Sequence, residues 1–479
     1  MTELIDRARR QGLLAPEFLS ALALLALAIV FGGSSRPSAG NLLVQLAALG
    51  LLTFLLVRRR IDWPRGGAAV AFWLMVAVAA LPLLYSLPLP PAVWSGLAGR
   101  EIALKTYALT GIAPPWHGVG LRDGVGLVTA LHLLAPAVMF LAVLGLTAVQ
   151  RWALLYGFFA VALIAILVGF AQVPGGATHV LHFYDISSID GALGFFPNRN
   201  HMATLMLCTL PLAAAAALVW LRERGEEARL FGLAGAVLFA LAVVTLLATS
   251  ARAGLVLALP VLIGCALLAR ITRKRSTRGL RPVLVWSAVA AALVLVGAGL
   301  AYSSLGTRLA TRVQTQGIVD TDRIEFARLT ASAIPHYLPL GSGPLTFRPV
   351  YTMIEPLDDM RPYYINHAHD DYLEILLEYG VPGGLLLLAA LAWLGWASLR
   401  AWFDTQAGDR AIRCAATIGI AAVLIHSTFD YPVRTTTIAV LLAMLAALTL
   451  ASRPGPAPAP IAVEERPKRV RIRQRIRIA

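Results

Sequence analysis

Two histidines and three carboxylates gather in one short stretch, Asn366-His367-Ala368-His369-Asp370-Asp371-Tyr372-Leu373-Glu374, just ahead of an apolar run. Three readings suit such a string. An imidazole held by a carboxylate can act as a general base at a wet site. His-x-His-Asp-Asp also has the residue types of a metal-ligand run, although further ligands at recognisable spacing are missing. The third reading is structural: carboxylates in the first turn of a helix complement its dipole, with Asn366 or Asp370 as the cap.

Three arginines form a second set. Arg199 lies between asparagines in Pro197-Asn198-Arg199-Asn200-His201, Arg252 lies in Ser250-Ala251-Arg252-Ala253-Gly254 between two apolar runs, and Arg323 follows. A lone arginine in such a place snorkels to lipid headgroups. Three on one side of a membrane make an anion site an equal reading, because guanidinium forks suit phosphate oxygens bidentately. His132 and His426, inside apolar runs, read as hydrogen-bond partners between helices. Asp430 and Arg434 flank a short turn and read as a pair.

The elements that must position these residues are membrane helices. Of 479 residues, 58% are hydrophobic and 14% charged, with mean hydropathy +0.72. Such a chain cannot cover a soluble surface, so the expected class is an all-α integral membrane protein. Apolar runs near 18–33, 40–57, 67–85, 124–146, 151–172, 200–220, 230–249, 253–270, 283–302, 381–399, 413–429 and 435–451 give about 12 transmembrane helices. With the N-terminus in the cytoplasm, inner segments hold 28 Lys+Arg against 11 Asp+Glu, and outer segments 13 against 15. Clusters such as Arg58-Arg59-Arg60 and Arg273-Lys274-Arg275 fall inside, and both termini are expected to be cytoplasmic. The net charge of +15 is thereby an orientation signal and needs no nucleic-acid partner. Arg7, Arg9 and Arg10 precede the first run as in a signal peptide, but without a clean cleavage site an uncleaved helix is expected. Cys208, Cys265 and Cys414 form neither a disulfide framework nor a metal spacing.

Three outer loops follow from this topology. The loop near 86–123, rich in proline with Trp94 and Trp116, is expected to lie on the membrane surface. The second spans about 173–199, and the third, near 303–380, approaches a small domain. In the third, Thr321 or Asp322 begins a helix that ends before Pro335. A second helix over about 368–379 carries Tyr372, Ile375, Leu376 and Tyr379 on one face, with Gly380 as its C-cap. From residue 452 a proline-rich and then basic tail is expected to be disordered, with attraction to anionic lipids.

Four blocks, in order, resemble the O-antigen ligase and O-antigen or exopolysaccharide polymerase superfamily. They are Gly194-Phe195-Phe196-Pro197-Asn198-Arg199-Asn200-His201-Met202-Ala203, Ser250-Ala251-Arg252-Ala253-Gly254, Arg323 with Pro339-Leu340-Gly341-Ser342-Gly343-Pro344-Leu345-Thr346-Phe347, and the stretch from His367 to Gly380. The resemblance implies a polyprenyl-phosphate-dependent, GT-C-like architecture: N-terminal transmembrane helices over 1–193, a related core over 194–451, and the tail from 452 to 479. It implies inverting, metal-independent transfer of an undecaprenyl-diphosphate-linked glycan to an acceptor hydroxyl on the periplasmic face of a bacterial inner membrane, with no cofactor. The acceptor would be lipid A core, a second lipid-linked glycan or a protein hydroxyl. Carried over by residue, His369 aligns with the family's catalytic histidine, with His367 beside it. Arg199 and Arg252 would hold the diphosphate, with Arg323 a third candidate, and Asn200 and His201 would support them. Asp370 stands where the family usually has asparagine and puts an acidic neighbour beside the histidine. The rival class is a lipid-linked glycan flippase or transporter, which would keep ionisable groups near the bilayer midplane.

Overall fold

The structure, a computed structural model, describes residues 2–58, 63–174, 179–184, 191–223, 225–272, 321–360, 364–404 and 409–451. The expected span at 283–302, the Arg273-Lys274-Arg275 cluster, the start of the 303–380 loop and the tail from 452 lie outside these residues. The described residues are helical: α1 (Thr2–Arg10), α2 (Pro16–Phe31), α3 (Ala39–Val57), α4 (Gly67–Tyr85), α5 (Pro91–Trp94) and α6 (Glu101–Thr110). Next come α7 (Gly126–His132), α8 (Leu134–Leu144), α9 (Ala148–Gln172), α10 (Arg199–Trp220), α11 (Glu226–Ala248) and α12 (Arg252–Ile271). The last are α13 (Thr321–Tyr337), α14 (Phe347–Ile354), α15 (Asp371–Phe403), α16 (Arg410–His426) and α17 (Thr436–Leu448).

Every expected span within the described residues meets a helix. Among those residues eight helices are long and apolar enough to cross a bilayer, α7 and α8 together counting as one, while α2 and α17 are shorter apolar helices. α10 is the axis of the bundle: 94% of its apolar stretch is buried inside the protein, against 11–44% for the other spans. Its small side chains at 213–217 are all buried, and α11 packs closely against them through Gly235. The outer helices instead keep large apolar groups such as Leu42, Trp73, Leu259 and Leu385 exposed, as a surface facing lipid tails would.

Two details fix the ends of this bundle. α15 breaks at Gly380, whose φ of 53° and ψ of −139° are not helical. A Cβ there would lie 2.2 Å from the Pro339 carbonyl oxygen, so only glycine lets the 339–343 segment seat on the break. The expected C-cap is therefore a bend between a polar first portion and the apolar continuation. At the other end of the bundle, Arg151 Nη1 donates to the Leu450 carbonyl at 2.6 Å and Arg413 Nε to Thr449 at 2.9 Å. These two guanidiniums satisfy carbonyls that the end of α17 leaves open. His132 departs from expectation: it bonds the Val128 carbonyl of its own helix at 2.7 Å. His426 does bridge helices, with Nδ1 2.9 Å from Thr204 Oγ1.

Candidate functional site

The polar end of the bundle collects the end of α2, the starts of α10, α12 and α15, and the turn between α16 and α17. Arg199 and Arg252 are the first residues of α10 and α12, and both are half-buried. Asn198 caps α10 by accepting from the Asn200 N–H at 2.9 Å. α12 has no side-chain cap, and the turn before it passes through Ser250 at φ 52°. The two first turns touch: a Cβ on Gly254 would sit 2.6 Å from Ala203 Cβ. That contact explains why the Arg252 block needs its glycine. It also sets two arginines at adjacent helix N-termini, where the dipoles favour anions. Gly254→Val is expected to wedge these helices apart at a cost of about 1–3 kcal/mol, read as a lower melting temperature of the detergent-extracted protein.

The histidine stretch is shaped by two carboxylates. Asp370 is the N-cap of α15, its Oδ1 accepting from the Tyr372 and Leu373 N–H groups at 2.9 and 3.0 Å. Glu374 reaches back to accept from the Ala368 N–H at 2.9 Å and lies 2.9 Å from His367 Nδ1. Between these anchors the chain turns through His369 at φ 54°, a conformation a side chain adopts only when its surroundings impose it. The histidines then part. His367 has both nitrogens engaged, the second with Ser35 Oγ at 3.3 Å. His369 places Nδ1 3.2 Å from Asp430 Oδ1, and its Nε2 meets no protein partner among the described residues. Each histidine thus faces its own carboxylate.

Asp430 is the acidic partner that the sequence reading assigned to Asp370. It is fully buried, accepts from the Tyr431 N–H at 2.9 Å, and has Oδ2 3.5 Å from Arg323 Nη2. Burial alone would raise its carboxyl, yet the Arg323 guanidinium and then His369 hold it well below the usual carboxylate range. Arg323 also donates to the Phe429 carbonyl. Tyr431 stands at the centre: its ring lies 4.2 Å from that of His367, 4.9 Å from His369 and 5.2 Å from His201. Its hydroxyl accepts from Asn366 Nδ2 at 3.2 Å, and burial pushes the phenol up to about 12, so it stays neutral. Asn200 and His201 are buried beneath this cluster, and among the described residues neither ring nitrogen of His201 has a hydrogen-bond partner.

Asp430 and Arg434 do not pair with each other. Arg434 instead faces three carboxylates of α15: Asp371 at 3.5 Å, Glu374 at 3.4 Å and Glu378 at 3.2 Å. Residues 371, 374 and 378 share one helix face, and all three are buried. The expected apolar face of Tyr372, Ile375, Leu376 and Tyr379 is only half-buried; the acidic face turns inward because a guanidinium is waiting there. Each carboxylate also holds a different segment. Asp371 accepts from Ser427 Oγ at 2.9 Å, Glu374 fixes the histidine stretch, and Glu378 accepts from the Thr346 and Phe347 N–H groups at 3.1 and 3.3 Å. Asp430, Tyr431, Arg434 and Ser35 are the site residues that sequence reasoning missed; a polar turn between two apolar runs was the one available signal.

The 86–123 loop packs onto this framework. Arg100 is buried and donates to the carbonyls of Ala98, Val119 and Gly341, and the Leu121 N–H donates to Ser342 at 2.7 Å. Trp94 is buried with Nε1 on the Pro115 carbonyl, while Trp116 is exposed.

Residues 236–388 match the family model described as O-Antigen ligase. The segment contains Arg252, Arg323, His367 and His369, and Arg199 and Asp430 lie outside it. No curated protein matches the chain.

Proposed function

We infer, for a chain whose residues 236–388 match the O-antigen ligase family model, that it is a membrane glycosyltransferase of that superfamily and passes an undecaprenyl-diphosphate-linked glycan to an acceptor hydroxyl at the periplasmic face of a bacterial inner membrane. The observation that carries this reading is the His369–Asp430 pair, which leaves Nε2 open beside a cluster reaching Asn198 and the start of α10. Such convergence at one end of the bundle supports surface chemistry over a transport path through the midplane.

The steps follow from the parts. The acceptor oxygen attacks the anomeric carbon while the bond from that carbon to the diphosphate oxygen breaks, inverting the centre. The acceptor proton passes to His369 Nε2, and the resulting imidazolium is stabilised by Asp430 through Nδ1. Negative charge grows on the leaving diphosphate. In this reading Arg199, Arg252 and the two helix N-termini that carry them stabilise it. Arg323 balances the buried Asp430 charge, and His367, engaged on both nitrogens, positions the loop.

The test is the lipid-linked pool of a strain lacking the protein. Long glycan chains left on undecaprenyl diphosphate would mark a ligase acting on lipid A core; single repeats would mark a polymerase acting on a second lipid-linked glycan. An unchanged pool and unchanged surface or protein-linked glycan would sink the reading. In purified protein, Arg199→Ala or Arg252→Ala is expected to raise the donor KM about 10- to 100-fold, the equivalent of one charge-assisted hydrogen bond of about 1.5–3 kcal/mol, with acceptor KM unmoved.

A further inference from the structure

We propose that Tyr431 is a positioning residue for the transfer: through its ring and its hydroxyl it holds the His369 imidazole in register with α10, the helix that Arg199 begins. The side chain is buried, 6% exposed, where three segments meet. Its ring centroid lies 4.9 Å from that of His369 and 5.2 Å from that of His201, both edge-on, and 4.2 Å from that of His367. His201 is two residues beyond Arg199 on α10. The phenol ring therefore spans from the helix carrying a donor arginine to the stretch carrying the base. Phe326 also packs on His369, with its ring 5.8 Å away.

The hydroxyl explains why the residue is tyrosine. Phenylalanine would make the same ring contacts, and a buried hydroxyl is costly unless it is hydrogen-bonded. Tyr431 Oη accepts from Asn366 Nδ2 at 3.2 Å, and the Asn198 side chain faces the same oxygen. Asn366 opens the histidine stretch, three residues before His369, and Asn198 caps α10, one residue before Arg199. The Tyr431 N–H meanwhile donates to Asp430 Oδ1 at 2.9 Å, the oxygen that lies 3.2 Å from His369 Nδ1. One residue thus touches the base, its carboxylate and the cap of the arginine helix. His369 needs such bracing because its backbone sits at φ 54°, and a misplacement of about 1 Å at a reacting group costs on the order of 10²-fold in rate.

The assignment rests on the transfer reading. The experiment uses the full chain in phosphatidylcholine nanodiscs, with the lipid-linked glycan that accumulates in the deletion strain as donor. Tyr431→Phe keeps the ring and the N–H on Asp430 and removes only the hydroxyl tie. Its kcat is expected to fall about 10- to 100-fold, with the donor and acceptor KM within about threefold of wild type and the melting temperature unchanged. A residue that merely filled space would lower the melting temperature and raise the donor KM as well. Asn366→Ala cuts the same tie from the loop side and is expected to lose kcat by a similar factor. The double variant is expected to lose no more than the weaker of the two single ones, because a shared interaction is removed only once. Tyr431→Phe turning over as fast as wild type, losses that multiply in the double variant, or a fall in kcat seen only together with a lower melting temperature each overturn the assignment. If the intact chain transfers no glycan, the transfer reading falls and the assignment with it; if it transfers and Tyr431→Phe transfers equally fast, the assignment falls alone.

Discussion

Asp430→Asn is expected to slow glycan transfer by about 10²- to 10⁴-fold, close to the loss from His369→Ala, with the donor KM unchanged. Asparagine matches the shape of aspartate and can still accept from the Tyr431 N–H. What it removes is the charge 3.2 Å from His369 Nδ1. Without that charge the imidazolium formed on proton transfer has no counter-ion. Asp430 itself is not expected to titrate near neutral pH. A carboxyl held below its unfolded value of about 3.9 contributes stability that is present above that value and lost only as pH falls through the folded one. Asp430 is held well below that range by Arg323 and His369 against the push of burial, so it stays ionised from about pH 5 to 8. Titration of Asp430 itself therefore contributes nothing to the difference between wild type and variant in that window, and the two kcat values are compared at a single pH within it. A variant within threefold of wild type would remove the pair from the mechanism.

Arg434→Ala is expected to cost more in folding than in chemistry. It would leave Asp371, Glu374 and Glu378 buried at 4%, 1% and 1% exposure without their counter-charge. Breaking a buried ion pair by removing one partner costs about 3–5 kcal/mol, a large share of the roughly 5–15 kcal/mol that holds a domain together. The readout is the fraction of monodisperse protein recovered in detergent and its melting temperature. Arg434→Lys keeps the charge but loses the guanidinium fork, so it should recover only in part. Neutralising the acids as well, with Asp371→Asn, Glu374→Gln and Glu378→Gln on Arg434→Leu, should melt higher than Arg434→Leu alone. If that combination melts no higher, charge balance is not what the cluster supplies.

The spans were legible because a bilayer demands about 20 apolar residues in a row, and that pattern survives whatever the helices pack against. The Asp370 cap, one of two candidates, was legible too, and so was a break in the helix at Gly380, although it was read as a C-cap and is a bend within a continuing helix. The partners of the histidines were not. His367 meets Ser35 across 332 residues, and His369 meets an aspartate in a turn of a few residues that carries no periodicity. The inward face of α15 was misread for a related reason. Its carboxylates look solvent-directed until the arginine that neutralises them is brought in from another turn, and only the tertiary fold does that.

The turn over 427–435 supplies Asp430, Tyr431 and Arg434, and it joins the last two helices of the described chain. Synthesis runs from the N-terminus, so the earlier spans, both helix-start arginines and the histidine stretch all emerge before it. Until that hairpin is inserted, His369 lacks Asp430 and the inward carboxylates of α15 lack Arg434. Assembly order thus acts as a safeguard: an unfinished chain already in the membrane holds most of the proposed binding surface and His369 but not its acidic partner, and competence arrives when this hairpin is inserted.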